Sequence, residues 1–481
     1  MFLNDQLYFA YYPFVIVAFI YMLFSVGFNR LGLFIVALFW SGMVQFLSNL
    51  ASFSGFPIDV HNIYKIVMAL WAIYLFGYDI LRSHSRQDVS VNVAWILFSL
   101  VFWLSYLKYG GGILTMMSQY LYKYGMVYLL YYGMKSVFTH NKTEYVKDLL
   151  LKILFVQVAL SVVKIVLSIS MTGRLQEFIV GSISSGGAGV AVVLPISGLV
   201  LYWLVKGKKL SGKDTLVSLL FLLIAVASGK RSPVFIYPVV YLALAMYATR
   251  TIKPGNLLKF IPLAFLAFYL SVRTNWTLNP EKSSWGSFDL EYVYRYVLRY
   301  NFGAQEASDI FREDYEGSGR GSGAFLVFQP TKLGLRDFDE WFLGNGLYHF
   351  AVAEYGKRIG RWRSGESTGY DIDHTGLMGG AAEKTYTLGY GGLIAMLWLS
   401  LAILSNVKDK RLRRVLALFY LWEFFFYQDQ FMSQHASVIV VAFACFYDKW
   451  QLHGASVRAQ SSQVKPVFSK EKRRLALIRA E

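Results

Sequence analysis

Apolar stretches of bilayer length follow one another along almost the whole chain, and this limits the fold more than any other feature. A helix needs about 20 largely apolar residues to cross a hydrocarbon core. On that scale the sequence divides into about thirteen spans: 8–28, 31–49, 62–79, 91–107, 112–137, 148–170, 188–205, 214–228, 232–248, 257–273, 386–405, 413–429 and 433–449. Hydrocarbon offers no partner to an unpaired peptide group, so the spans are expected as helices. The fold class expected is all-α, a polytopic transmembrane helical bundle. Composition agrees: of 481 residues 56% are hydrophobic and 16% charged, where a soluble domain carries about a quarter charged. A soluble enzyme, a disordered chain and a fibrous repeat are thereby excluded. A single cysteine, Cys445, rules out an internal disulfide and a Cys-based zinc site. The net charge of +17 fits basic cytoplasmic loops rather than nucleic-acid binding.

Lys and Arg set the expected orientation. Three short linkers are heavily basic: Lys206/Lys208/Lys209/Lys213, Arg250/Lys253/Lys259, and Lys408/Lys410/Arg411/Arg413/Arg414. Placing them in the cytoplasm puts the N-terminus outside and the C-terminus inside. Residues 273–385 then fall outside. They hold 13 Lys+Arg against 16 Asp+Glu, while the remainder holds 34 against 14. The acids have been gathered into one external segment, and long connections of this kind usually carry function. The expected organisation is a transmembrane bundle over 1–272, an external domain over 273–385, three further spans over 386–449 and a basic cytoplasmic tail over 450–481. Within the external domain, residues 290–300 pattern as a helix with Leu290, Val293 and Val297 on one face.

Charged residues near a bilayer edge are the first candidates for chemistry. Arg231, beside Lys230, closes a short turn between two apolar spans on the outer side. It is placed either to grip a phosphate through its planar fork or to snorkel as a helix-end marker. Arg295 and Arg299 share a helix face, with Glu291 available as a plain ion-pair partner for Arg295. Arg358 belongs to a basic cluster with Lys357, Arg361 and Arg363, interleaved with Tyr355 and Trp362. That chemistry suits anionic head groups, pyrophosphate or sugar rings, and equally a lipid surface. The stretch Gly181–Gly187 offers backbone N–H groups to an anion, or is only a connector. Asp371, Asp373 and His374 stand together near the end of the external domain, followed by Glu383. Carboxylates around a histidine either bind a metal or tune a base. Asn275-Trp276-Thr277 has the pattern of a glycosylation sequon.

The arrangement resembles the O-antigen polymerase and O-antigen ligase superfamily, bacterial inner-membrane glycosyltransferases of the GT-C type. The resemblance lies in about a dozen spans with one large external segment near the C-terminal end. Ser228-Gly229-Lys230-Arg231 is similar to the turn these proteins carry between two helices. Gly344-Asn345-Gly346, His374, Glu383 and Gly389-Tyr390-Gly391-Gly392 are similar to their Gly-x-Gly, His, acid and Gly-rich helix opening. The resemblance implies a periplasmic external domain and transfer between undecaprenyl-diphosphate-linked glycans, with no metal, nucleotide or other cofactor. Polymerisation of lipid-linked repeat units is the reading taken. Ligation of the glycan to lipid A-core is the alternative, and flipping of a lipid-linked oligosaccharide a third.

The roles implied are these. Arg231, Lys230, Arg295, Arg299 and Arg358 would hold the departing diphosphate. His374, or Asp373, Asp371 or Glu383 in its place, would take the acceptor's proton. Trp341, Tyr348, Trp362 and Tyr370, with Glu383, would position sugars. Expected partners are lipid-linked glycans, membrane lipids and a polysaccharide chain-length regulator, with no nucleic acid.

Overall fold

The computed structural model describes residues 2–27, 86–110, 112–140, 143–172, 181–182, 190–206, 212–227, 268–275, 278–283, 285–302, 324–331, 333–346, 380–426 and 440–446, with isolated positions between them. Among these residues every regular element is helical. The chain runs through α1 (Phe2–Val26), α2 (Arg86–Tyr109), α3 (Ile113–Ser118), a π-helical segment (Gln119–Tyr124) and α4 (Met126–His140). It continues through α5 (Thr143–Thr172), α6 (Val190–Lys206) and α7 (Gly212–Ala227). Later in the chain come α8 (Leu290–Phe302), α9 (Phe338–Leu343), α10 (Gly380–Ser405) and α11 (Lys410–Phe426).

Among the described residues, four helices are long and apolar enough to cross a membrane: 9–26 of α1, 88–109 of α2, all of α5 and all of α10. The protein is therefore read as a membrane protein. The expected spans 188–205, 214–228 and 413–429 coincide with α6, α7 and α11. The expected span 112–137 differs: it is three pieces, α3, the π-helical segment and α4. Its break comes where the Gly125 N–H donates to the Tyr120 carbonyl, 2.7 Å away and five residues back. One extra residue is thus accommodated within the helix, a device common at functional sites. The expected spans 31–49, 62–79, 232–248, 257–273 and 433–449 lie wholly or partly outside the described residues.

α1 and α5 pack antiparallel: the Lys164 ammonium lies 4.5 Å from the Tyr11 ring centre, and the Tyr145 hydroxyl donates to the Val26 carbonyl at 3.4 Å. α6 and α7 pack on each other and on α5. α10 is the centre of the second half, against α2, α9 and α11. Two-thirds of its apolar window is buried in protein, 67% against 28% for α1. A single apolar cluster joins α1, α2, α4, α5, α6, α10 and α11.

Two buried carboxylates, near the starts of α2 and α7, are matched. Asp88, 1% exposed, accepts from the Lys135 ammonium at 2.5 Å and from the Tyr131 hydroxyl at 3.2 Å. One turn along α2, the Asn92 side-chain oxygen Oδ1 accepts from the hydroxyls of Tyr128 and Tyr132. Asp214 of α7 accepts from the Tyr202 hydroxyl of α6 at 2.7 Å. Unmatched, each buried carboxylate would carry a desolvation cost of several kcal/mol.

Candidate functional site

α10 is not a continuous helix. At Gly389 the backbone takes φ 66° and ψ −172°, which ends the ladder of i→i−4 bonds and separates a first half, 380–388, from a second, 390–405. Such a break strands carbonyls: those of Tyr386 and Thr387 lose the N–H groups four residues on. In hydrocarbon or a buried interior that loss must be made good. The Gly344-Asn345-Gly346 turn supplies it. Asn345 N–H donates to the Tyr386 carbonyl at 2.8 Å, and Gly346 N–H to the Thr387 carbonyl at 3.1 Å. Asn345 itself is buried, and its amide donates to the Leu333 carbonyl at 2.8 Å.

Two glycines make the approach possible. A Cβ on Gly344 would come within 2.5 Å of the Gly389 and Leu388 backbone, and one on Gly389 within 2.5 Å of the Trp341 and Phe342 carbonyls. Backbone therefore lies on backbone, so any side chain would force the two apart. Residues 344–346 are thus locked to α10 at this point.

α9 stands directly beside the lock. Glu340 accepts from the backbone N–H groups of Arg336 and Asp337, which closes its first turn. Trp341 donates its indole N–H to the Leu335 carbonyl at 3.1 Å and sets its ring 5.2 Å from that of Tyr390. Part of that ring remains open to solvent or lipid, as do the rings of Phe338 and Phe342. α2 closes the other side: Lys108 pairs with Asp339 at 3.2 Å, and Ser105 donates to the Leu343 carbonyl at 3.0 Å.

Within the first half of α10, Glu383 and Lys384 are buried, 2% and 1% exposed, with carboxylate and ammonium 3.8 Å apart. The ammonium also lies 5.0 Å from the ring centre of Tyr124, the last residue of the π-helical segment. The irregular helix of the first half of the chain thus meets the broken helix of the second half at a buried charged pair. Glu383 was expected among sugar-binding groups or in place of the base. It lies buried in the protein, because the helix begins at Gly380 rather than at 386 and carries Glu383 inward.

The other expected residues divide as follows. Trp341 is at the lock. Arg295 and Arg299 project from α8, both exposed, and Arg295 pairs with Glu291 at 2.6 Å, the plain surface pair that their spacing allowed. α8 packs Val293 and Leu298 inward, while Leu290 is left exposed. Arg231, Lys230, Arg358, Tyr348, Trp362, Tyr370, Asp371, Asp373 and His374 lie outside the described residues. The two described residues of the 181–187 stretch are not open to an anion. Gly181 N–H donates to the Ser161 hydroxyl and Ser182 N–H to the Gln157 side-chain oxygen, each at 2.7 Å. Asn275 is 5% exposed, so the sequon does not present its asparagine. Among the described residues no group of three or more His, Cys, Asp or Glu is placed to hold a metal.

Lys384 was missed by sequence reading, although a signal exists: it is the charge beside Glu383 in a run that is otherwise small or apolar. Lys108 was missed too, because its partner Asp339 is far away in sequence. No known protein family, characterised protein or solved structure matches the chain, so the family resemblance rests on the residues themselves.

Proposed function

We propose that the protein is a membrane glycosyltransferase that joins lipid-linked glycan repeat units at the outer face of the membrane, with a lipid diphosphate as leaving group. One observation carries this reading. The Gly344-Asn345-Gly346 turn packs backbone on backbone against Gly389, the first residue of the Gly389-Tyr390-Gly391-Gly392 run, and donates paired backbone hydrogen bonds to Tyr386 and Thr387 just before it; these are the two glycine-rich features on which the resemblance rests. They form one seat at the break within α10. The chain that carries Asp371, Asp373 and His374 leaves that seat after Gly346 and re-enters the same helix at Gly380. Its two attachment points are thereby set by α10.

In this reading the transfer needs three contributions. Cations stabilise the diphosphate as it departs, the role assigned to Arg231 with Lys230, Arg358 and the exposed Arg299. A base removes the acceptor hydroxyl's proton as that oxygen attacks the anomeric carbon, the role assigned to His374 with Asp371 or Asp373. Aromatic faces hold sugar rings, and the half-open Trp341 beside Tyr390 is one such face.

The test is incubation of the purified protein with lipid-linked repeat units, reading products on a gel. A ladder of glycan lengths is expected. His374→Ala should reduce ladder formation by about 10²–10⁴ in rate, and Arg231→Lys should be poorly tolerated because an ammonium does not reproduce a planar fork. Glycan transferred to a lipid A-core acceptor would instead identify a ligase. Unaltered lipid appearing on the other side of the membrane would identify a flippase.

A further inference from the structure

The contact between α1 and α5 leaves a groove that shares no lining residue with the α9–α10 lock. It has a volume of about 420 Å³ and is lined by Tyr21 of α1 and by Asp148, Leu151, Lys152, Phe155 and Ala159 of α5. That volume lies in the range of small-ligand sites, roughly 300–1,000 Å³. Asp148, Lys152, Phe155 and Ala159 are all exposed and follow each other at helical spacing on one face of α5. Two opposite charges thus stand one turn apart, followed along the same stripe by an aromatic ring and a small side chain.

Depth in the membrane gives this order a meaning. α5 has 30 residues, so at about 1.5 Å per residue it exceeds the hydrocarbon thickness of about 30 Å, leaving roughly 7 Å beyond it at each end. Asp148 lies about 8 Å from the start of α5 and Lys152 about 14 Å, with a stem long enough to return its ammonium to the interface. Phe155 and Ala159 lie deeper, at the level of acyl chains. Tyr21 is a half-exposed phenol on the opposite wall, the kind of side chain that suits such a boundary.

We propose that this groove binds a phospholipid whose head group carries both a phosphate and a primary ammonium. Lys152 takes the phosphate, Asp148 takes the ammonium through its N–H groups, and one acyl chain lies along Phe155 and over Ala159. A head group with phosphate alone would set an anion against Asp148 without compensation. A quaternary ammonium supplies charge but no N–H donor to the carboxylate. The groove therefore prefers phosphatidylethanolamine to phosphatidylcholine and to phosphatidylglycerol. The proposal is independent of the glycosyl-transfer reading.

The experiment is native mass spectrometry of the full-length protein in detergent, given equal amounts of the dioleoyl forms of the three lipids. Wild type should retain phosphatidylethanolamine about fivefold or more over phosphatidylcholine. Asp148→Asn should abolish that preference, Lys152→Gln should weaken retention of phosphatidylethanolamine and phosphatidylglycerol alike, and Ala159→Trp, which fills the groove without touching its charges, should weaken all three. Each variant is compared at unchanged thermal stability, and all three positions are surface positions. Equal retention of the three lipids by wild type, an undiminished preference in Asp148→Asn, or unchanged retention in Ala159→Trp would each overturn the proposal.

Discussion

At Gly389 a positive φ and carbonyl oxygens within 2.5 Å of a would-be Cβ leave no space for any side chain. Gly389→Ala adds both conformational strain and a clash against backbone, which has no flexible end to move aside. The strain alone is worth about 1–3 kcal/mol. The variant should melt measurably lower than wild type in detergent, with transfer activity falling as the turn and helix separate. Gly110→Ala is the useful contrast, since its φ is also positive but nothing lies within 4 Å of its would-be Cβ. An equal loss at the two positions would show that the break is not the cause. At a second residue the electrostatics are legible. Hydrogen bonds from Ser287, side chain first and backbone second, hold the Glu281 carboxyl below the usual carboxylate range. A depressed folded value means that the contribution is complete above the unfolded value and is lost as pH falls through the folded one. Protection of the Ser287 amide from hydrogen exchange should therefore be constant at neutral pH and fall only below the ordinary carboxylate range. In Glu281→Gln that acid-dependent step should disappear.

Between elements, the pairing of α2 with α4 rests on Asp88 and Lys135 as well as on rings. Trp95 stacks on Tyr128 at 5.1 Å, and Phe98 lies 5.4 Å from Tyr124 in the π-helical segment that leads into α4. Removing one partner of a buried pair leaves the other charge uncompensated, at about 3–5 kcal/mol, whereas replacing both by apolar groups of similar size is often close to neutral. Lys135→Met should thus lower the melting temperature strongly, and Asp88→Leu combined with Lys135→Met should recover much of the loss. If the double variant is no better than the single one, the pair is not what holds these helices together. Periodicity alone could not show the pair, because Asp88 and Lys135 stand 47 residues apart in sequence.

At the scale of the whole molecule, the orientation expected from the basic linkers remains a direct experimental target. In a protein with Cys445 replaced by serine, cysteines placed singly at Ser318 and Lys209 should react with an impermeant thiol reagent from opposite sides of the membrane. Labelling from the same side would overturn the external assignment of 273–385 and the proposed function with it. What the sequence determined by itself was the solvent and the element type. Apolar runs of bilayer length admit only elements that satisfy their own backbone, so α1, α2, α5 and α10 were legible as helices, and α8 from its Val293-based stripe. The tertiary structure decided how the elements are interrupted and joined. That α10 starts at 380, breaks at Gly389 and takes its missing hydrogen bonds from Asn345 and Gly346 depends on groups that meet only after folding. The same holds for the burial of Glu383 beside Lys384 and Tyr124. Hydropathy is a sum over neighbours in sequence and carries the first kind of information, whereas a backbone hydrogen bond across a helix break is set by neighbours in space.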